Sequence, residues 1–495
     1  MPLLPFIDLP NHLAESTIFK YHEGQDNVFS EYYQPTPWYF PNSFHTVFCS
    51  FFPSVEFGNK VFHIVYIACL YAAVFLVIAH LKGNLWYGML AVLCTYNYNV
   101  TFGFVGFAMS IPMLLFLFYF TLLDLERDKW GLKAAIAALL IVTYLMHAQN
   151  ALLGLVIYGG LIVYRYQSSI RKILTNGLLV GFPLVAFMLA WWFTREGENE
   201  SSTLGYLFEY YKSDYFSTFY MRAGLFVFDN FQLRAGTPGL IIATIFFSCI
   251  LLPLLWFRPW SARPVRVFIP QAFYAFLFFM ITFLCYLFLP DRLPGQTPLF
   301  QRLCTVVVLA FIILGSVWLS DVRAKGLKYF VVVVCIVYTG TWLEYIQTFN
   351  RESKDFNREF LAGIDNDSKL AGLIYANSFR GRKVYIHFPN YFIVWNKGIA
   401  ASKIIDYRFG VIRRAAPGSY LPFYHDYIGD HYKPQPQYSQ MDYLLVRGMA
   451  PASEDQNLNG FGLIRKKEVG AVAAGENATM PRVYAWTTQS NCPSE

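Results

Sequence analysis

The stretch Val61-Phe-His-Ile-Val-Tyr-Ile-Ala-Cys-Leu-Tyr-Ala-Ala-Val-Phe-Leu-Val-Ile-Ala-His-Leu81 holds no Asp, Glu, Lys or Arg, and Lys82 closes it. About 20 apolar residues in a helix cross a hydrocarbon core of ~30 Å. Runs of the same character recur near 85–97 (short), 103–123, 134–147 (short), 151–164, 173–193, 239–257, 268–290, 303–320 and 328–346. Composition agrees. Of 495 residues, 56% are hydrophobic and only 14% charged, where a soluble domain carries roughly 25% charged residues. The pattern predicts a mainly α, polytopic membrane bundle of about ten spans.

Charge sets the expected orientation. Lys82, Arg127, Lys129, Lys133, Arg165, Arg171, Lys172, Arg258, Arg263, Arg266, Arg323, Lys325 and Lys328 fall in alternate connections. The positive-inside rule assigns that set to the cytoplasm. The other short connections hold only Arg292 and Arg302, so 1–60, the loop 194–238 and the tail 347–495 are expected outside. Three regions follow: an outer segment with interfacial helices over 1–60, a transmembrane domain over 61–346, and an extramembrane α/β domain over 347–495. The tail has helical spacing over 355–376, and 383–388, 442–447, 460–465 and 482–486 read as short strands. The net charge of +7 reports topology, and nothing in its distribution suits nucleic acid. The bilayer is the expected partner.

The amino terminus, Met1-Pro-Leu-Leu-Pro-Phe-Ile7, is too short and too broken by proline for a span or a signal peptide, so an upstream helix is expected. Of eight cysteines, only Cys49 and Cys492 fall outside apolar runs, and a bridge between them stays open. Asn-x-Ser/Thr triplets at Asn99, Asn199, Asn366 and Asn477 all fall on the expected outer side. The loop 194–238, with its acids at 196–200 and Tyr206-Leu-Phe-Glu-Tyr-Tyr211, reads as an interfacial lid.

Polar clusters gather on that outer side. In Asp8-Leu-Pro-Asn-His-Leu-Ala-Glu15, Pro10 suits a first helical turn, which sets Asp8, His12 and Glu15 on one face. Such a face offers a general base beside an imidazole, or two ligands for a divalent metal. A capping Asp8 and a surface His12 are the plainer reading. Arg292 and Arg302 depart from the charge rule and fit a phosphate as guanidinium forks, or else pair with Asp291 or an acid of the outer loop. His147, Gln149 and Asn150 stand at a hairpin tip, as ligand contacts or as structure.

These segments carry a resemblance. Asp8-Leu-Pro-Asn-His-Leu-Ala14, Gly103-Phe-Val-Gly-Phe107 and His147-Ala148 resemble segments of the C-type membrane glycosyltransferases that use polyprenyl-phosphate-linked sugars, including bacterial multi-pass members. The resemblance implies a general base at Asp8 with His12 beside it. It also implies a donor phosphate held by Arg302 and Arg292; the polar clusters themselves make Glu15, His147 and Asn150 candidates for further substrate contacts. It implies no required cofactor, an acceptor glycan, lipid or protein, and an active face on the periplasmic side of a bacterial inner membrane. Two other readings are open: a transporter or flippase, and a non-catalytic assembly subunit.

Overall fold

The structure, a computed structural model, describes residues 3–24, 28–194, 203–231, 233–257, 270–292, 298–322, 324–401, 411–415, 441–448, 461–466 and 486–489. Arg258, Arg263, Arg266, Arg323, Asn199, Asn477, Cys492 and the acids at 196–200 lie outside these described residues.

Seven helices among the described residues are long and apolar enough to cross a membrane: Val55–His80, Val105–Arg127, Ile170–Thr194, Gly236–Trp256, Gln271–Phe288, Phe300–Trp318 and Lys325–Glu352. They coincide with the seven longest apolar runs of the sequence. This marks an integral membrane protein with a mainly helical, polytopic build. The three shorter runs behave differently. Residues 85–97 form one α-turn, Leu85–Gly88, followed by the 3-10 helix Met89–Cys94. Trp130–Met146 is a shorter apolar helix, and Ala148–Arg165 follows it directly.

The chain divides into two compact units. The first comprises Met1–Pro37, Thr46–Asn59 and Ile346–Glu495; the second comprises Trp38–His45 and Lys60–Tyr345.

In the first unit, the helix Leu9–Tyr21 precedes a five-stranded sheet. With β1 at Tyr33–Pro35, β2 at Lys369–Ile374, β3 at Ile399–Ala400, β4 at Ile412–Arg414, β5 at Tyr443–Arg447, β6 at Phe461–Lys466 and β7 at Trp486–Gln489, the sheet order is β3-β2-β5-β6-β7. β2 runs parallel to β3 and β5; β6 and β7 are antiparallel, and β1 pairs separately with β4. Two expectations are corrected here. The helical spacing over 355–376 gives only the turn Arg358–Leu361, and Lys369–Ile374 is a strand, because its residues pair with β5. Lys383–Phe388 is not a strand: the chain turns there into the 3-10 helix Phe388–Asn390, with Pro389 in its first turn. Gly372 of β2 makes that possible. A Cβ on Gly372 would meet the Pro389 Cγ at 2.2 Å, so only glycine lets the turn lie against the strand.

Arg447, fully buried at the end of β5, donates from Nη2 to Glu352 Oε1 at 2.7 Å and packs over the Tyr385 ring at 3.7 Å. Burial pulls its guanidinium below the ordinary value, and Tyr385 and Glu352 oppose that. Burial pushes the Tyr391 hydroxyl up, and the charge of Glu56 adds to it.

In the second unit, the turn between helices 105–127 and 130–146 is closed by charge. Lys133, counted above as a cytoplasmic signal, is buried and donates to Asp124 Oδ1 and Asp128 Oδ1, each at 2.7 Å. The segment expected as an outer lid is helical over Thr203–Glu209 and Tyr215–Phe231. Asn99 is not an accessible glycan acceptor: it is fully buried in the helix Tyr98–Phe102, whereas Asn366 is exposed.

Candidate functional site

The segment Gly103-Phe-Val-Gly-Phe107 builds the site in the second unit. Asn97 caps the short helix 98–102, accepting from the backbone N–H of Asn99 and Val100. Gly103 ends it at φ +89°, a left-handed position that glycine takes without cost. Phe104 is thereby turned under a guanidinium: Arg302 Cζ stands 4.1 Å from the Phe104 ring centre. Gly106 lets helix 105–127 approach the end of helix 130–146, since a Cβ there would lie 2.5 Å from the Met146 carbonyl oxygen. The next residue, His147, then meets Phe107 edge to face at 4.8 Å. Gly103, Phe104, Gly106 and Phe107 thus each have a separate physical duty.

Arg302 Nη1 donates to His147 Nε2 at 2.7 Å. A guanidinium only donates, so this imidazole nitrogen offers its lone pair. The Gln149 N–H also points at the same ring, at Nδ1, 3.3 Å away. A neutral imidazole has one such lone pair, and the shorter, charged contact takes it. His147 therefore stands between two donors.

The electrostatics favour an anion. His147 begins the helix Ala148–Arg165, and Arg302 lies in the first turn of Phe300–Trp318. Gln149 Nε2 donates to the Leu299 carbonyl at 3.1 Å, which ties the two helix starts together. Neither helix has an acid in its first turn. Each amino-terminal end carries about half a positive charge, and Arg302 adds a full one. The nearby acid Asp291 accepts from Gln301 Nε2 at 2.6 Å. Asn150 is fully buried and donates to Ser110 Oγ at 2.7 Å, between helices 105–127 and 148–165. Arg292 is exposed after helix 270–288.

Asp8, His12 and Glu15 belong to the first unit. Asp8 occupies the N-cap position of helix 9–21, yet its side chain makes no cap hydrogen bond. Its Oδ1 instead lies 3.1 Å from His387 Nε2. His12 Nδ1 lies 3.1 Å from Glu15 Oε2. The plain reading of Asp8 as a helix cap does not describe this geometry. Among the described residues, no three His, Cys, Asp or Glu side chains gather closely enough to hold a metal ion.

Sequence reading missed two residues. His387 lies far along the chain from Asp8, in a segment read as a strand. Arg222 sat in a segment read as a loop; it is fully buried, donating from Nη1 to the Tyr286 carbonyl and from Nη2 to the Tyr210 hydroxyl, both at 2.9 Å. An arginine inside an aromatic-rich segment was the only available signal. Compared with known proteins, the chain matches no family model, no curated protein and no solved structure.

Proposed function

We propose that the chain is an inverting membrane glycosyltransferase that moves a sugar from a polyprenyl-phosphate donor to an acceptor hydroxyl on the outer face. The observation that carries this reading is Arg302, laid on Phe104 where two helices begin and bonded to a histidine. Two positive helix ends and a guanidinium suit the phosphate that departs in such a reaction. Arg292 is a second candidate for that phosphate. Asp8 is the general base: the acceptor O–H bond breaks toward its carboxylate, the oxygen bonds to the sugar's anomeric carbon, and the carbon–phosphate oxygen bond breaks with its electrons on the phosphate.

The proposed topology has ten spans, with the shorter runs at 85–97, 134–147 and 151–164 completing the count. It places the first and last parts of the chain in the periplasm of a bacterium. Transfer from polyprenyl-phosphate-linked hexoses in vesicles carrying the full chain tests the reading. Arg302→Ala is expected to abolish transfer while leaving the protein folded; full activity would return Arg302 to a structural role.

One observation favours a flippase instead. The buried Arg222 guanidinium is held, among the described residues, by neutral groups and by the rings of Phe300 and Tyr215. A buried guanidinium without a carboxylate beside it is a natural contact for a passing anion. Arg222→Met would then stop passage of a labelled polyprenyl phosphate between leaflets, whereas the enzyme reading expects no such transport in the wild type.

A further inference from the structure

The first unit contains two carboxylate–imidazole pairs of opposite sense at helix 9–21, one at its N-cap residue Asp8 and one within it. In the pair Asp8–His387, the carboxylate is the more accessible member, 19% against 8% for the imidazole. In the pair His12–Glu15, the imidazole is the more accessible, 22% against 4% for the carboxylate. Asp8 and His12 are four residues apart, so they share a face. Each is therefore backed by a buried partner of the complementary kind.

We infer that His387 and Glu15 are positioning residues, one aiming the Asp8 carboxylate and the other fixing the tautomer of His12. This rests on the reading of Asp8 as the base. An ionised carboxylate only accepts hydrogen bonds, so Asp8 obliges His387 to carry its proton on Nε2, and Glu15 obliges His12 to carry its proton on Nδ1. An ionised carboxylate at each place thereby selects one tautomer of its neutral partner, as when a carboxylate orients a catalytic imidazole. With the Asp8 oxygen that His387 holds fixed, the rest of the carboxylate keeps one direction. With Nδ1 donating to Glu15, the lone pair of the neutral His12 ring is on Nε2.

The fold holds both backing groups firmly. His387 immediately precedes the 3-10 helix Phe388–Asn390, whose Pro389 is pressed against Gly372 of β2. Asn390 Nδ2 donates to Asn11 Oδ1, tying that turn to helix 9–21. Phe388 is buried among the rings of Phe356, Tyr385 and Tyr391. Glu15 is set by the helix itself, one turn after His12. Helices and packed turns hold such groups more closely than open loops do.

The test uses the full chain in lipid vesicles, polyprenyl-phosphate-linked hexoses as donors and methyl glycosides as acceptors. His387→Ala and Glu15→Ala are expected to lower kcat about 10²-fold with KM little changed, the loss typical of a misplaced reacting group. His387→Gln, which keeps a side-chain N–H, should recover part of it. Adding His387→Ala to Asp8→Asn should cost nothing more, because the two act as one unit. A second measurement needs no turnover: nitrogen NMR of histidine-labelled protein should show His12 protonated at Nδ1 in the wild type and a different tautomer balance in Glu15→Gln. If Asp8→Asn is inactive but His387→Ala and Glu15→Ala transfer at the wild-type rate, the positioning roles are wrong. A His12 protonated at Nε2 in the wild type would also overturn them. Full transfer by Asp8→Asn would instead defeat the glycosyltransferase reading itself.

Discussion

Arg302 and His147 meet at 2.7 Å, guanidinium to imidazole, at the start of two helices. The contact pairs an obligate donor with a group that has one lone pair to give. It fixes the guanidinium in place, and the flat Phe104 face lies against it with 4.1 Å between Cζ and the ring centre; the proposed phosphate site rests on this geometry.

Arg302→Lys follows from that plane. Lysine keeps the charge but loses the fork and the stacked contact with Phe104. It should recover little of the transfer that Arg302→Ala loses. Kinetic comparison of the two variants, with folding checked by thermal melting in detergent, decides between a shaped phosphate site and a simple charge.

Gly106→Ala probes the approach that sets His147. The added methyl would meet a backbone carbonyl at 2.5 Å, and backbone cannot swing aside as a side chain can. We expect a stability loss of about 1–3 kcal/mol, together with weaker transfer as His147 moves from Arg302. A thermal melt unchanged from the wild type would show that the two helices part easily.

Cys49 is expected to be inert. Burial pushes its thiol up to about 12, against a small opposing hydrogen bond with Ser16. The thiolate is the reactive form. At pH 8 its population is then roughly 10³-fold below that of an ordinary thiol. The sign is that of a raised acid: the fold keeps the proton on as pH rises through the ordinary thiol range and yields it only near 12. Maleimide labelling at pH 8 should therefore be slow in the native protein and fast after unfolding. Rapid native labelling would contradict this burial.

The topology can be read with a single new cysteine. Asp367 is exposed in the turn before β2. In intact cells, Asp367→Cys should react with a membrane-impermeant maleimide added outside. Labelling only after the membrane is opened would place the tail in the cytoplasm and remove the outer-face reading.

Much of the membrane architecture was legible because the signal is long. A run such as 61–81 cannot be anything but a buried or spanning helix, and seven such runs became helices of the required length. The short runs were ambiguous for the converse reason. Leu85 to Cys94 is apolar enough, yet it forms one α-turn, Leu85–Gly88, and then the 3-10 helix Met89–Cys94. In the tail, Lys369–Ile374 looked helical because its apolar residues bury both faces of a central strand, which erases the period of two. For the site, Asp8, His12, Glu15, Arg302 and His147 were visible as polar residues in unusual places. His387 was not, because its value comes only from the turn that Gly372 and Pro389 allow. Pairings of that kind depend on tertiary packing, which no local pattern carries.

The most direct measurement is transfer by Asp8→Asn. Asparagine keeps the size and a hydrogen-bonding oxygen for His387 but cannot take a proton from the acceptor. With general-base catalysis worth about 10² to 10⁴ in rate, the variant in vesicles should melt like the wild type and lose turnover by that factor. Wild-type transfer from a polyprenyl-phosphate-linked hexose by Asp8→Asn would contradict the account.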